Sequence, residues 1–168
     1  MSELTINISR LSEGAHQYDF ETDAKSLDLD ARFTDVVRVG AVLEKTGRQM
    51  HLKADLRTKA HFTCDRCLDE FERDLAPHYE IVYRTETSGT HGNNEEEFQY
   101  LSPDASLLDL GEDVRQFLIL AVPQKLLCKD DCRGLCPKCG ANRNKVACNC
   151  AEDATDPRWE ALKKMTLK

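Results

Sequence analysis

The chain has 168 residues, of which 40% are hydrophobic and 32% are charged, and its formal net charge is −7. This length suits one well-filled domain, with or without a small appendage. No apolar stretch approaches the roughly 20 residues of a membrane span, and the first residues lack the cationic start and apolar block of a secretory signal, so we expect a cytoplasmic protein without membrane contact.

The charge is distributed unevenly along the chain. Residues 1–124 carry 13 Lys and Arg against 24 Asp and Glu, whereas residues 125–168 carry 10 against 6. A protein that wraps duplex DNA without sequence preference is normally basic throughout, so the charge argues against that class. An anionic partner is expected to contact residues 125–168.

The first half of the sequence predicts an antiparallel sheet. Residues 52–62 alternate between apolar and polar side chains, which is typical of a strand with one buried face. Residues 37–43 alternate in the same way, and residues 71–83 do so with a break at Pro77. Short connections between the three strands indicate a meander. Residues 4–8 offer a further, weaker strand.

A loop and two helices are predicted after the sheet. Residues 85–97 are small, polar and acidic, so we expect a mobile loop. Apolar side chains recur at helical spacing over residues 109–121, with Asp109 and Glu112 placed as a capping box. A last helix is expected to begin at Asp156 as N-cap. The predicted class is therefore α+β, an antiparallel β-meander or partial barrel with two or so helices and a Cys-rich zinc-binding segment at the C-terminus.

Eight cysteines carry the strongest functional signal. Thiols stay reduced in the cytosol, so their clustering indicates metal rather than disulfides. Two Cys-x-x-Cys knuckles are present, and such a knuckle can hold one zinc ion from a single tight turn. The spacing differs from the usual iron–sulfur runs, so we expect two zinc ions and keep iron as an alternative. The eight are Cys64, Cys67, Cys128, Cys132, Cys136, Cys139, Cys148 and Cys150.

The eight thiols divide into two sets of four in either of two ways. The favoured division leaves one site wholly local, so that its loop closes at little entropic cost. In the favoured division one site contains Cys64, Cys67, Cys128 and Cys132, and the local site contains Cys136, Cys139, Cys148 and Cys150. The alternative consists of Cys128, Cys132, Cys136 and Cys139, and of Cys64, Cys67, Cys148 and Cys150. Four thiolates leave no open coordination position, so structural rather than catalytic zinc is expected.

We place a domain boundary between the β-rich residues 1–124 and the zinc-binding residues 125–168.

Six basic residues lie beside the cysteines in the sequence. They can balance the formal charge of −2 on a zinc ion with four thiolates, and they are also candidates for contact with the phosphate groups of a partner. They are Arg66, Lys129, Arg133, Lys138, Arg143 and Lys145. The sequence contains no phosphate-binding glycine loop, nucleophile elbow or His-Glu-x-x-His helix, so we expect neither an enzyme nor a small-molecule substrate.

Several of these motifs together resemble one known family. The knuckle Cys64-Asp-Arg-Cys67-Leu68, the run from Cys132 to Asn142, the pair Cys148-Asn-Cys150 and the helix start Asp156-Pro-Arg-Trp159 are similar to those of the YceD-like family, the large ribosomal RNA subunit accumulation proteins. The resemblance covers roughly residues 35–166. Arg143 departs from the pattern, in which leucine is expected.

The resemblance implies a non-enzymatic cytoplasmic factor that supports 23S ribosomal RNA accumulation or processing and large-subunit assembly. The partner would be ribosomal RNA or a large-subunit ribosomal protein. Two other functions stay open: a zinc-ribbon adaptor for protein interactions, and a thiol redox or zinc-sensing switch that uses Cys64 and Cys67.

Overall fold

The computed structural model describes residues 4–85 and 98–150. In these residues one α-helix packs against a mainly antiparallel sheet, so the predicted α+β class is confirmed. The predicted last helix, and the predicted acidic loop except for Thr85, lie outside the described residues. The predicted domain boundary stays a prediction. No helix in the described ranges is long and apolar enough to cross a membrane.

Eight strands, one α-helix and one short 3-10 helix (Ala24–Leu27) make up the described fold. The larger sheet has the order β2-β3-β4-β6-β7, β5 also pairs with β4, and β1 pairs with β8 in a separate two-stranded sheet. Every pairing is antiparallel except that of β6 with β7. The strands are β1 (Thr5–Asn7), β2 (Gly14–Asp23), β3 (Val36–Thr46), β4 (Gln49–Thr63), β5 (Glu70–Leu75), β6 (His78–Thr85), β7 (Phe98–Leu101) and β8 (Leu107–Asp109), and the helix is α1 (Gly111–Leu120).

The 15-residue strand β4 is the centre of the sheet. Its residues alternate between buried and exposed positions along nearly the whole strand, as the sequence predicts. Strands β5 and β6 pair with β4 in one continuous register and are separated at Pro77, which has no N–H group to donate. The Pro77 carbonyl still accepts the Leu56 N–H at 2.9 Å. The third predicted strand therefore corresponds to β5 and β6, which pair with β4 in the same register and are interrupted at Pro77, as the sequence predicts.

Helix α1 covers the inner face of the sheet. Leu110, Val114 and Leu118 are fully buried, and the Phe117 ring stacks on Tyr79 with a centroid distance of 4.4 Å. This is the apolar face that the helical spacing predicts. Together with the buried side chains of β3, β4 and β6, these residues form the main hydrophobic core.

The predicted capping box at the start of α1 does not form as a reciprocal pair, although the Asp109 carboxylate accepts the Gly111 N–H at 2.8 Å. Leu110 rather than Asp109 is the N-cap residue, and the Glu112 carboxylate accepts from Arg115 and Gln116 instead. The physical reason lies in the preceding strand pair: the Leu110 N–H donates to the Leu4 carbonyl at 2.9 Å. The pairing of β1 with β8 thus continues for one more residue, and the helix begins only at Gly111.

Candidate metal centres

The turn between β4 and β5 forms the first Cys-x-x-Cys knuckle. The Cys64 N–H donates to the Asp69 carbonyl and the Leu68 N–H donates to the Cys64 carbonyl, both at 2.9 Å. These two bonds close a tight loop that carries Cys64 and Cys67, and both cysteines are buried. Because β4 and β5 pair right up to this turn, the sheet fixes the position of the knuckle.

The chain that follows α1 returns to this knuckle. The Asp65 N–H donates to the Leu126 carbonyl at 2.8 Å, and the Asp65 carboxylate accepts the Leu126 N–H at 2.7 Å. Arg66 donates to the Cys132 carbonyl at 2.8 Å. These bonds hold the segment that contains Cys128 and Cys132 against the end of the β4–β5 hairpin.

Four sulfur atoms meet there, and we call Cys64, Cys67, Cys128 and Cys132 the first cluster. All four Sγ atoms lie within 4.8 Å of one another, with Cys64 to Cys132 at 3.7 Å and Cys67 to Cys128 at 3.6 Å. A zinc ion with sulfur ligands at about 2.3 Å requires tetrahedral edges of about 3.8 Å. A disulfide would require about 2.05 Å. The arrangement therefore fits a four-coordinate metal ion.

The second cluster consists of Cys136, Cys139, Cys148 and Cys150, whose Sγ atoms also lie within 4.8 Å of one another. Its knuckle repeats the bonds of the first: the Gly140 N–H donates to the Cys136 carbonyl at 2.9 Å, and the Cys136 N–H donates to the Ala141 carbonyl at 2.8 Å. Cys139 and Cys150 are exposed, so this cluster is more open than the first. The structure thus brings the sulfurs together in the grouping of the favoured division.

The residue that follows each knuckle adopts a left-handed backbone conformation. Gly140 has a φ of 72° and Leu68, at the equivalent position, a φ of 60°. The left-handed region costs a non-glycine residue roughly 1–2 kcal/mol. The Leu68 side chain is 63% exposed, so its packing offsets little of that cost. In the sequence Leu68 stands out only as the last residue of the Cys64–Leu68 motif, and its position after the second cysteine of a knuckle was the available signal for this conformation.

Polar contacts join the loops of the two clusters. The Asp69 carboxylate, next to the first knuckle, accepts hydrogen bonds from Asn142 and Lys145 of the second loop, each at 2.8 Å. Gly134 has a φ of 69°, and a Cβ atom there would lie 3.0 Å from the Arg66 carbonyl oxygen. The two clusters are therefore parts of one packed unit. Sequence reasoning missed Asp69 and Asn142, because no local pattern indicates a contact across 73 residues.

Backbone N–H groups favour a thiolate at the first cysteine of each knuckle. Burial opposes ionisation of Cys64, but N–H groups of Cys128, Cys67 and Arg66 outweigh it and lower the pKa of Cys64 to about 6. N–H groups of Cys139 and Lys138 likewise lower the pKa of Cys136 to about 6.

Two further sulfurs of the first cluster differ in how readily they ionise: Cys67 resists ionisation, whereas Cys132 is favoured as a thiolate. An N–H bond from Asp69 favours the Cys67 thiolate, but burial and the neighbouring sulfurs raise the pKa of Cys67 to about 12. The Asn144 side chain donates to the Cys132 sulfur at 3.3 Å and helps to lower its pKa against burial. A metal ion with four thiolate ligands must therefore displace protons, and its affinity is expected to fall as the pH falls.

The six candidate RNA-contacting residues differ in their surroundings. Arg66 donates to the Cys132 carbonyl, Lys129 pairs with Asp131 at 3.7 Å and Lys145 pairs with Asp69. Lys138 is an exposed residue of the second knuckle. Arg133 and Arg143 line a common cleft beside the second cluster. The structure therefore brings only these last two together around open space.

Comparisons with known proteins identify one family for this chain. The family described as "Large ribosomal RNA subunit accumulation protein YceD" matches residues 52–166, a range that contains all eight cysteines. A curated relative, "Large ribosomal RNA subunit accumulation protein YCED homolog 1, chloroplastic" of Arabidopsis thaliana, is 22% identical over 151 residues, which cover 75% of this chain and 47% of the relative. The chain thus spans about half the length of that relative. No solved structure matches the chain.

Serine substitutions in the two knuckles are expected to have unequal effects. Cys67→Ser and Cys139→Ser should each release one equivalent of metal, measured by elemental analysis of the purified chain. Cys67→Ser should also lower the unfolding temperature more strongly, because its cluster joins the β4–β5 hairpin to a segment 61 residues away. Cys139→Ser, in the exposed and local cluster, should leave the sheet folded in circular dichroism. Unchanged metal content and unfolding temperature in Cys67→Ser would contradict the grouping.

A matched pair of substitutions tests the left-handed positions. Gly140→Ala should lower the free energy of unfolding by roughly 1 kcal/mol, because a Cβ there meets no atom within 4 Å and only the backbone conformation is penalised. Leu68→Gly should be neutral or stabilise by up to about 1 kcal/mol, because relief of strain slightly exceeds the added freedom of the unfolded chain. Urea unfolding of metal-loaded protein gives both values. A loss well above 1 kcal/mol in Leu68→Gly would show that the exposed side chain stabilises the fold.

Proposed function

The chain belongs to the YceD family of large ribosomal RNA subunit accumulation proteins, and from this membership we propose that it supports the accumulation or processing of 23S ribosomal RNA and thereby assembly of the large ribosomal subunit. The observation that carries the proposal is the family match over residues 52–166, which spans the sheet centre and both cysteine clusters. We place the protein in the cytoplasm, where its thiols stay reduced.

In this proposal the two clusters hold zinc and act as scaffold. Each offers four sulfur donors, which is the donor set and number of a closed structural zinc site. When bound, the ions would supply a rigid link between the β4–β5 hairpin and residues 126–150, and their ligand shells would leave no position for a substrate. The protein then acts by binding and positioning, without catalysis and without a small-molecule substrate.

Charge supports ribosomal RNA as the partner of the C-terminal region. Residues 125–168 are net positive in an otherwise acidic chain, and basic side chains on the cluster loops are exposed. Cationic side chains held on a rigid surface are the usual means of contacting phosphates. The acidic remainder of the chain would limit unspecific contact with other nucleic acids.

A specific observation favours a second candidate, the protein-interaction adaptor. Leu68 is 63% exposed in a conformation that non-glycine residues rarely adopt, and such strained positions concentrate at functional sites. A large-subunit ribosomal protein that contacts this leucine would fit the same biological role. The thiol redox or zinc-sensing switch remains a third hypothesis, which predicts readily alkylated thiols in the free protein at neutral pH and is contradicted by full zinc occupancy with protected thiols.

Deletion of the gene tests the proposed function. We expect a lower ratio of mature 23S to 16S ribosomal RNA, measured on total RNA, and a reduced large-subunit peak in sucrose gradients. The intact gene should restore both, whereas Cys67→Ser should fail to do so. A normal ratio together with an unaltered subunit profile in the deletion strain would remove the proposal.

A further inference from the structure

A cleft beside the second cluster carries an arginine on each side. Its volume is about 460 Å³, and it is lined by Arg133, Arg143, Val146, Ala147 and Cys148. None of these lining residues, all within the described part of the chain, is acidic. Val146 is 59% exposed and gives the cleft an apolar edge beside the two arginines.

Backbone bonds bring the two arginines together although they are ten residues apart. The Arg143 N–H donates to the Gly134 carbonyl at 2.9 Å, and Leu135 and Asn142 form an antiparallel bridge beside it. The Arg133 N–H donates to the Asn144 side-chain oxygen at 2.9 Å. The two backbone segments are therefore fixed side by side, and both arginine side chains reach the same space.

The same segments are anchored by both clusters. Arg133 follows Cys132 of the first cluster, and the bridged stretch leads directly into Cys136 of the second. Gly134 lies against the Arg66 carbonyl, whose oxygen would be a close 3.0 Å from a Cβ atom at this position. Closure of the two clusters thus sets the distance across the cleft, as a binding site for a small rigid group requires.

The two arginines also differ from their basic neighbours in their hydrogen-bond and ion-pair partners. Arg66 and Lys145 donate to acceptors within the protein, and Lys129 pairs with Asp131. Neither the Arg133 nor the Arg143 guanidinium has an acceptor among residues 4–85 and 98–150. Within the described part of the chain their donors are therefore open to an external anion, and the planar guanidinium matches phosphate oxygens in bidentate fashion.

We propose that the Arg133–Arg143 cleft binds a backbone phosphate of single-stranded RNA, with Val146 in contact with the adjoining sugar or base. This inference rests on the proposed function and specifies where its RNA contact lies.

The chain offers a matched control for this cleft. Arg38 and Arg57 face each other on β3 and β4, are exposed, and line another surface cleft, but Asp35 and Asp74 line that cleft with them. The double variants Arg133→Gln/Arg143→Gln and Arg38→Gln/Arg57→Gln remove the same charge. Metal content and circular dichroism establish that both variants are folded.

Fluorescence anisotropy with a fluorescein-labelled single-stranded RNA and the metal-loaded full chain tests the proposal. We expect Arg133→Gln/Arg143→Gln to weaken binding by roughly tenfold or more and to reduce the slope of log affinity against log salt by about 1, while Arg38→Gln/Arg57→Gln stays within about twofold of the unaltered chain. Equal losses in the two variants, unchanged affinity in the first, or no salt-dependent binding by the unaltered chain would each overturn it.

The deletion strain separates this inference from the proposed function. Where deletion lowers the 23S to 16S ratio and Arg133→Gln/Arg143→Gln restores it fully, the cleft proposal fails and the proposed function stands. Where deletion leaves the ratio normal, the proposed function fails whatever the cleft binds. We expect the double variant to restore the ratio only in part and the control variant to restore it completely.

Discussion

Convergence of four sulfur atoms at the end of the β4–β5 hairpin is the constraint on which the rest of the molecule depends. Cys64 and Cys132 are 68 residues apart in the chain, yet their sulfurs lie 3.7 Å from each other inside the protein. Closing so long a loop is entropically unfavourable, and placing four ionisable thiols in one buried pocket adds repulsion as they ionise. A divalent ion would offset both penalties, because it attracts all four thiolates and fixes the loop. Structural zinc contributes on the order of 10 kcal/mol in small folded units.

The remaining features follow from that junction. The sheet and α1 have a hydrophobic core of their own, and the hairpin extends from this core as a rigid support. The first cluster attaches residues 126–135 to the support, and the Asp69 contacts with Asn142 and Lys145 attach the second loop to the first. The sheet thus fixes the orientation of the basic side chains on the cluster loops, although these loops are far from the sheet strands in the sequence. This arrangement is consistent with the proposed role of positioning RNA or a ribosomal protein.

Sequence patterns predicted those parts of the molecule in which one local rule decides the structure. Alternation located β3 and β4 because one face of each strand is strongly apolar, and knuckle spacing identified the metal-ligand candidates. The pattern missed β2, whose inner face is only half-buried and offers little besides Tyr18 and Phe20, and it missed the four-residue strand β7. The partners of the basic residues could not be predicted from the sequence either. Lys145 pairs with Asp69 whereas Arg143 lines an open cleft, and no local sequence pattern distinguishes the two.

The central claim is that eight cysteines hold two metal ions as scaffold. Native mass spectrometry of the unaltered full chain, purified without chelator or reductant and compared with its denatured mass, tests this most directly. The account predicts a native mass that exceeds the denatured mass by two zinc ions, and a denatured mass that corresponds to eight free thiols. A folded chain without metal, or a denatured mass lowered by disulfide formation, would contradict it.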